Sequence, residues 1–273
     1  MGTILYLPEI EQYQHTISLQ GPNSTVSLGG ELSLPAGIEL ACLAYDLGQD
    51  STLTNVLTVD CSKSRVWSLV RRIGWPECRP GLQVAGGGNV LFSLPTGPTD
   101  HSWVAFLYSF RAALRRNGFS KQLSLALAGA LAEIVDNVWE HSESPLPGLV
   151  AFTVENQRLT LIVADLGIGI LESLRSNPQY SHLSTSMEAL ELAIKPGVSR
   201  FENAKRGYGF RTILHSLAEL WGIVRIRSGR GSLTLDRTDE KRRRLKKFHP
   251  PLPGLQIAIT CGAHLSTSRR LIF

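Results

Sequence analysis

The stretch LAEIVDNVWEHS, residues 131–142, has the spacing of an amphipathic helix and a polar side that contains no Lys or Arg. Ser120 is suited to cap the N-terminus of this helix, because a serine hydroxyl can accept a hydrogen bond from a free N–H of the first turn. The apolar residues at helical spacing are Leu127, Leu131, Ile134 and Val138. This pattern predicts a long helix that buries one stripe against a core.

The polar side of this helix consists of carboxylates, one amide and one imidazole: Glu133, Asp136, Asn137, Glu140 and His141. Residues four apart lie one turn above each other, so Glu133 and Asn137 share a row. A solvated helix face usually pairs its acids with Lys or Arg. Hard oxygen ligands suit Mg²⁺, and a carboxylate can accept a proton from water. These residues therefore indicate a site for a cation and a water molecule, with an ordinary solvated face as the alternative.

A second stretch, LTLIVADLGIGI at residues 159–170, is an apolar strand that runs into Asp165, Gly167 and Gly169. An aspartate at a strand end can accept a hydrogen bond from an exocyclic amine, and glycines let a flat ring approach the backbone. The alternative is that the glycines only make a turn.

A third stretch, KRGYGFRTILHSLAEL at residues 205–220, places a glycine-rich turn before an amphipathic helix. The N-terminus of a helix has free backbone N–H groups and the positive end of the helix dipole, which together favour a phosphate. Lys205 and Arg206 precede the glycines Gly207 and Gly209. An ordinary loop-to-helix junction remains the alternative.

The order and spacing of these three stretches resemble the GHKL superfamily, which comprises gyrase, heat-shock chaperone, histidine kinase and MutL ATPases with the Bergerat nucleotide-binding fold. LAEIVDNVWEH is similar to the N box of that superfamily, DLGIGI to its G1 box and RGYGF to its G2 box. The last is closest to the anti-sigma-factor serine kinases. The resemblance spans residues 101–262 and implies a two-layer α/β sandwich with a mixed, mostly antiparallel sheet.

The same resemblance implies a site for ATP and Mg²⁺. Glu133 would be the general base that orients water, Asn137 the Mg²⁺ ligand and Asp165 the acceptor for the adenine amino group. The other residues that it implies at the nucleotide are Gly167, Gly169, Lys205, Arg206, Gly207, Tyr208, Gly209 and Phe210. The sequence departs from the superfamily pattern at the adenine site, because Leu255 stands where many members have a threonine that helps to bind the base. Thr260 is further along the same strand.

The sequence predicts a domain boundary at about residue 100. Residues 1–100 predict a small α/β domain of unknown role, with an outline that resembles STAS-like modules. The resemblance implies that residues 101–273 form an ATP-binding domain, with a candidate lid at about 171–206. Within the first part, Gly86 to Asn89 predict a hairpin turn.

Several further elements follow from local patterns. A helix near 65–73 is predicted to bury Val66, Leu69, Val70 and Ile73, and one over 102–116 to bury Val104, Leu107, Phe110 and Leu114. Strands are predicted at 148–155, 158–165, 223–228, 232–236 and 255–261, with helices near 187–194 and over 208–221.

Composition limits the class of protein. The chain has 273 residues, 43% hydrophobic and 19% charged, and a formal net charge of +5. Its four cysteines have no C-x-x-C spacing, which argues against a disulfide framework or a zinc site. No secretion signal and no membrane-spanning run is recognisable. We therefore expect a soluble, cytoplasmic protein.

The excess positive charge is concentrated in RTDEKRRRLKK, residues 237–247. The favoured interpretation is a solvated loop between two strands. The alternative is a surface that binds the phosphates of nucleic acid through Lys241 to Lys247.

The expected function is a compact regulatory protein that binds ATP with Mg²⁺ and acts on or through a partner protein. Its activity would be that of an ATPase or of a serine/threonine protein kinase related in fold to histidine kinases. The alternative is a nucleotide-gated binding module, for a protein or a nucleic acid, with little or no turnover. A homodimer is left open by the sequence.

Overall fold

The computed structural model of the chain describes residues 4–5, 25–27, 31–49, 58–60, 64–195, 198, 222–237 and 243–263. The α-helices within these residues are α1 Leu34–Gln49, α2 Arg65–Ile73, α3 His101–Arg116, α4 Lys121–His141, α5 Gly169–Arg175 and α6 Ser186–Ala193. Two short parallel pairs join β1 Ile4–Leu5 to β3 Glu31–Leu32 and β2 Thr25–Ser27 to β4 Thr58–Asp60. The remaining described strands are β5 Gln83–Gly86, β6 Asn89–Ser93, β7 Leu149–Glu155, β8 Arg158–Ala164, β9 Ile223–Ser228, β10 Gly231–Asp236, β11 Arg243–Phe248 and β12 Leu255–Gly262.

These eight strands form one sheet in the order β11-β10-β9-β12-β8-β7-β6-β5, and every neighbouring pair is antiparallel. The protein is thus a mixed α+β structure built on an antiparallel sheet. The predicted strands from residue 148 onward match β7 to β10 and β12 within one residue. Strand β12 lies between β8 and β9, which brings the segment around Leu255 beside the end of β8.

Helix α4 forms as its sequence predicts. The Ser120 hydroxyl accepts a hydrogen bond from the N–H of Leu123 at 3.1 Å, which satisfies one free donor of the first turn. The predicted apolar stripe is buried: Leu127, Leu131, Ile134 and Val138. This stripe packs on the sheet and on α3.

Helix α3 also covers this face of the sheet, but its predicted orientation is partly wrong. Phe110 and Leu114 are buried as expected, whereas Val104 is 41% exposed and Trp103 and Phe106 are buried instead. The aromatic side chains decide the rotation of the helix, because they bury more apolar area than a valine. Phe106 stacks on Phe92 of β6 with ring centroids 4.4 Å apart.

The hairpin predicted at the three glycines is confirmed as β5 and β6. Gly87 and Gly88 both have positive φ, 55° and 81°, as the favoured two-residue hairpin turn requires. Strand β6 continues into the main sheet by pairing with β7. The sheet therefore passes across the predicted boundary at residue 100, and the division into two domains stays a prediction.

The second face of the sheet is covered by α1 and α2. Helix α2 buries the four residues predicted for it, Val66, Leu69, Val70 and Ile73. Sheet residues of this face include Leu91, Ala151 and Ile162. Helices from the first hundred residues therefore add a third layer to the expected two-layer sandwich.

A buried ion-pair cluster joins α1 to strand β9. Glu39 of α1 is 1% exposed, and its carboxylate contacts the guanidinium groups of Arg225, at 2.8 Å, and Arg227. Arg227 also donates to the carbonyl oxygen of Pro250 at 3.2 Å. Because an uncompensated charge is costly in a protein interior, this cluster requires α1 to stay docked on the sheet.

The described part of the predicted lid is folded. It contains α5, α6 and the 3-10 turn Pro178–Tyr180, which share a small core with Leu174 and Leu183. Leu190 of α6 and Ile194 reach the main core of the sheet. The role of this segment as a lid stays a prediction, and its remaining residues lie outside the described part of the chain, apart from Val198.

The interpretation of residues 237–247 as a loop is wrong for their second half. Residues 243–247 belong to β11, which pairs with β10 along six residues. The side chains of a strand alternate between the two faces of its sheet. The charged side chains of β11 can therefore stay exposed to solvent while its backbone pairs with β10.

None of the helices in the described ranges combines the length and apolar character needed to cross a membrane. The expectation of a cytoplasmic location stays a prediction.

We expect Phe110→Ala to lower the free energy of unfolding by about 3–5 kcal/mol, because it removes a large buried side chain and leaves a cavity. Phe110 is 0% exposed and meets the ring of Phe152 edge-on at 5.0 Å. Urea unfolding of the purified variant measures the change. Tyr108→Ala on the same helix is the control, because Tyr108 is 64% exposed; equal effects of the two substitutions would contradict the described orientation of α3.

Candidate functional site

The turn after β8 packs directly on the C-terminal end of α4. The N–H of Ile168 donates a hydrogen bond to the carbonyl oxygen of Ser142 at 2.8 Å. A Cβ atom on Gly167 would overlap the backbone of Ser142. Glycine is therefore required at residue 167 by contact between two backbones, which brings together the two sequence stretches that were predicted to form one site.

Asp165 lies at the start of this turn and is 3% exposed. Its carboxylate accepts a hydrogen bond from the N–H of Gly167 at 2.8 Å, and its own N–H donates to the carbonyl oxygen of Leu255 at 3.0 Å. Burial raises the pKa of Asp165 to about 6, and the backbone N–H groups of Gly167 and Leu255 offset part of that rise. A buried carboxylate with a pKa near neutrality is a common feature of functional sites.

Ser228, at the end of β9, ties this turn to the neighbouring strand. Its hydroxyl donates to the carbonyl oxygen of Gly254 at 2.8 Å and accepts from the N–H of Ile170 at 3.0 Å. A Cβ atom on Gly169 would lie 2.7 Å from that hydroxyl oxygen. Sequence reasoning missed Ser228, because a single serine at a strand end has no motif around it.

Leu255, where the resemblance implies a threonine, is the first residue of β12. It pairs with Ser228 across β12 and β9. Because leucine has no hydroxyl group, the hydroxyl group beside the Asp165 turn is that of Ser228. Thr260 pairs with Thr160 and is about 17 Å further along the strand at ~3.4 Å per residue. Thr260 therefore does not replace the missing threonine.

The polar side of α4 leads up to this contact. Asn137 is five residues before Ser142, about 7.5 Å along the helix axis. The Nδ2 of Asn137 donates to the carbonyl oxygen of Glu133 at 2.6 Å, so the Oδ1 is the amide atom left to accept a cation or a donor. Glu133 itself is exposed.

Three carboxylates interact on this side of α4. Partial burial raises the pKa of Asp136, and the charges of Glu133 and Glu140 raise it further. The Glu140 carboxylate also lies 3.9 Å from the imidazole of His141. This concentration of negative charge favours a cation near Asn137.

The oxygen atoms of α4 suit an Mg²⁺ ion that has few protein ligands. Within the described ranges, no group of three or more His, Cys, Asp or Glu side chains is arranged to hold a metal ion. Mg²⁺ commonly takes only one or two protein ligands and completes its shell with water and substrate phosphates. The Oδ1 of Asn137 can supply one such ligand.

Helix α1 of the first hundred residues also reaches the Asp165 turn. The Cys42 thiol is fully buried, and burial and the nearby Asp165 charge raise its pKa, whereas a hydrogen bond with Gln256 acts in the opposite direction. Gln256 follows Leu255 and is 3% exposed. The candidate site therefore has a neighbour from the predicted domain of residues 1–100.

The described structure thus brings Asp165, Gly167 and Gly169 to the end of the helix that carries Glu133 and Asn137. The remaining predicted site residues lie outside the described ranges: Lys205, Arg206, Gly207, Tyr208, Gly209 and Phe210. Their roles stay predictions, as does the predicted helix over 208–221.

No protein-family profile matches this chain, and a search of curated proteins finds no match.

The raised pKa of Asp165 predicts a pH dependence of stability. Because the folded protein holds this proton more tightly than the unfolded chain, the free energy of unfolding should fall as pH rises from about 4 to about 6, by about 2–3 kcal/mol at 1.36 kcal/mol per pKa unit. Asp165→Asn should remove this decrease and raise stability above pH 6. Urea unfolding at several pH values measures it.

Asp100→Asn is the control for this experiment. Hydrogen bonds from Ser102 lower the pKa of Asp100, so its stabilising contribution is present at neutral pH and is lost as pH falls. The two substitutions should therefore change the pH profile in opposite directions. Profiles of wild type and Asp165→Asn that run parallel would contradict the buried carboxylate.

Ser228→Ala should lower the free energy of unfolding by about 1–3 kcal/mol, because it leaves the buried carbonyl of Gly254 and the partly buried N–H of Ile170 without their partner. Ser109→Ala, on the exposed side of α3, is the control and should have little effect. Chemical denaturation of both variants measures the difference, and equal stabilities would show that Ser228 does not hold the turn.

Proposed function

We propose that this protein binds ATP with Mg²⁺ at the junction of α4 and the Asp165 turn, and that it is a regulatory protein of the GHKL type with a Bergerat fold. It would act as an ATPase or as a serine/threonine protein kinase on or through a partner protein. The observation that carries the proposal is the backbone contact between Ser142 and the Gly167–Ile168 turn, because it joins the two motifs that the resemblance requires in one site.

The chemistry of Asp165 supports the adenine part of the proposal. Its carboxylate is held by backbone N–H groups in a buried position, where a hydrogen bond to a charged acceptor is strengthened by the low dielectric. Above pH 6 the group is ionised and accepts hydrogen bonds only. It therefore favours a base that presents an amine over one that presents a carbonyl oxygen.

The polar side of α4 supports the phosphate and water part. Asn137 offers one amide oxygen to Mg²⁺, which when bound neutralises charge on the phosphates. Glu133 is exposed one turn away, where its carboxylate can accept a proton from water or from a hydroxyl group of a protein substrate. Asp136 and Glu140 add negative potential that attracts the cation.

One contact favours the second candidate, a nucleotide-gated binding module with little turnover. Cys42 of α1 hydrogen-bonds with Gln256, the charge of Asp165 raises the pKa of its thiol, and Glu39 joins the same helix to β9. A ligand on Asp165 would therefore act on a helix from the first hundred residues. In this case nucleotide binding would change a surface for a partner without a catalytic role for Glu133.

The test is nucleotide binding by calorimetry, with and without Mg²⁺. ATP should bind and GTP should not, because guanine has a carbonyl oxygen where adenine has its amino group. Asp165→Asn should weaken ATP binding by about tenfold or more, as expected for a lost hydrogen bond to a charged group, while its fold is at least as stable as wild type. Asn137→Ala should weaken Mg²⁺–ATP more than ATP alone.

The two candidates differ at Glu133. For an enzyme, Glu133→Gln should retain ATP binding and lose about 10²-fold or more of phosphate release or transfer, the usual contribution of a general base. Glu77→Gln, an exposed glutamate far from α4 in sequence, is the control. For a gated module both variants bind ATP alike and neither changes turnover. Absence of ATP binding at millimolar concentration would eliminate both candidates.

A further inference from the structure

Strand β11 forms one edge of the sheet. It pairs with β10, and no strand of the described ranges pairs with its outer side. An edge strand presents a row of backbone N–H and C=O groups that another extended chain can pair with. This edge is therefore a surface on which a strand of another molecule can add.

The edge has a strong charge of one sign. The sequence of β11 is RRLKKF, so four of its six residues are basic and none is acidic. All five residues from Arg244 to Phe248 are exposed. Charged residues on an edge usually prevent pairing with further copies of the same chain, but they do not repel a chain of opposite charge.

One carboxylate of the protein already contacts this strand. Lys246 and Arg244 lie opposite Leu233 and Leu235 of β10, on the face covered by α6. Glu191 of α6 contacts both cations, Arg244 at 3.4 Å. A hydrogen bond from Lys246, together with the charges of Lys246 and Arg244, lowers the pKa of Glu191, so the arrangement accepts a carboxylate.

The apolar residues of β11 are also exposed. Leu245 is 48% and Phe248 69% exposed, and Phe248 is the most exposed large apolar side chain in the described part of the protein. Isolated exposed apolar residues are ordinary. Leu245 and Phe248 lie on one strand and are separated by Lys246 and Lys247. They can therefore contact apolar side chains that lie between the acidic side chains of a bound peptide.

We propose that the edge of β11 binds an acidic extended peptide of a partner protein, which adds to the sheet as an antiparallel strand. Side chains of the added strand alternate between the two faces with the same period as those of β11. Acids on each face then lie beside the cations, and opposite charges on neighbouring strands stabilise the pair. This inference does not depend on the nucleotide site.

The alternation of charge favours a peptide over a nucleic acid. Arg244 and Lys246 project to one face of the sheet, and Leu245 and Lys247 to the other. A nucleic acid placed against one face meets only part of this charge, and phosphates cannot donate to the backbone C=O groups of the edge. A second copy of β11 would place like charges opposite each other, which is unfavourable.

The probe is a hexapeptide of complementary pattern, Val-Glu-Glu-Val-Glu-Glu with blocked ends, and fluorescence anisotropy measures its binding to the full chain at low salt. A peptide of the same sequence with alternate backbone nitrogens methylated carries the same charge but cannot pair along its methylated edge. We expect it to bind at least about tenfold more weakly, since backbone hydrogen bonds provide affinity in strand addition.

The matched variants carry equal changes of charge. Lys246→Gln with Lys247→Gln should weaken peptide binding about fivefold, from the loss of two cross-strand charge pairs. Arg71→Gln with Arg116→Gln removes two exposed cations from other elements and should leave binding unchanged. Hydrogen exchange should show that amides of residues 243–248 are protected when the peptide is bound.

Four results would each overturn the proposal. The first is no binding of the hexapeptide, and the second is equal binding of the methylated peptide. The third is tighter binding of a dT hexamer with the same protection of β11, which would identify a nucleic-acid surface. The fourth is a dimer in sedimentation experiments that protects the amides of residues 243–248 without peptide, which would identify a second copy as the occupant.

Discussion

The contact between the backbone of Ser142 and the turn at Gly167 is the constraint on which the rest of the site depends. A side chain at residue 167 would overlap Ser142, and the hydrogen bond from Ile168 to Ser142 forms only at this close approach. The contact fixes the end of α4 relative to the end of β8. It thereby places the turn that contains Asp165 at the end of the helix that carries Asn137.

The order of the strands supports this contact from the other side. Strand β12 lies between β8 and β9, so Gly254 and Leu255 meet Asp165, and Ser228 reaches across to Gly254 and Ile170. Each of these groups is a backbone atom or a short side chain, which lets three segments meet at one turn. The buried carboxylate of Asp165 is a consequence, since the same close packing excludes water from it and raises its pKa.

The two ends of the sheet differ in their exposure to solvent. Near β5 to β8, helices cover both faces, and α1 is held there by the Glu39 ion pairs. At β11, all the described side chains are exposed and mostly basic. The first arrangement connects residues from the start of the chain to the candidate site, and the second leaves an edge with hydrogen-bonding capacity and charge. Regulation by nucleotide and binding of a partner would therefore use separate parts of one sheet.

Local pattern alone was sufficient for much of the structure. Helix α4 with its buried stripe, helix α2, the β5–β6 hairpin and strands β7 to β10 and β12 follow from period and turn chemistry, because these depend on neighbours in sequence. The candidate residues Glu133, Asn137 and Asp165 were also recognisable from sequence. The rotation of α3 about Phe106, the role of Ser228, the docking of α1 beside Asp165 and the pairing of β11 were not. Each depends on contacts between residues far apart in the chain, and only the packed tertiary structure decides which of several local possibilities those contacts favour.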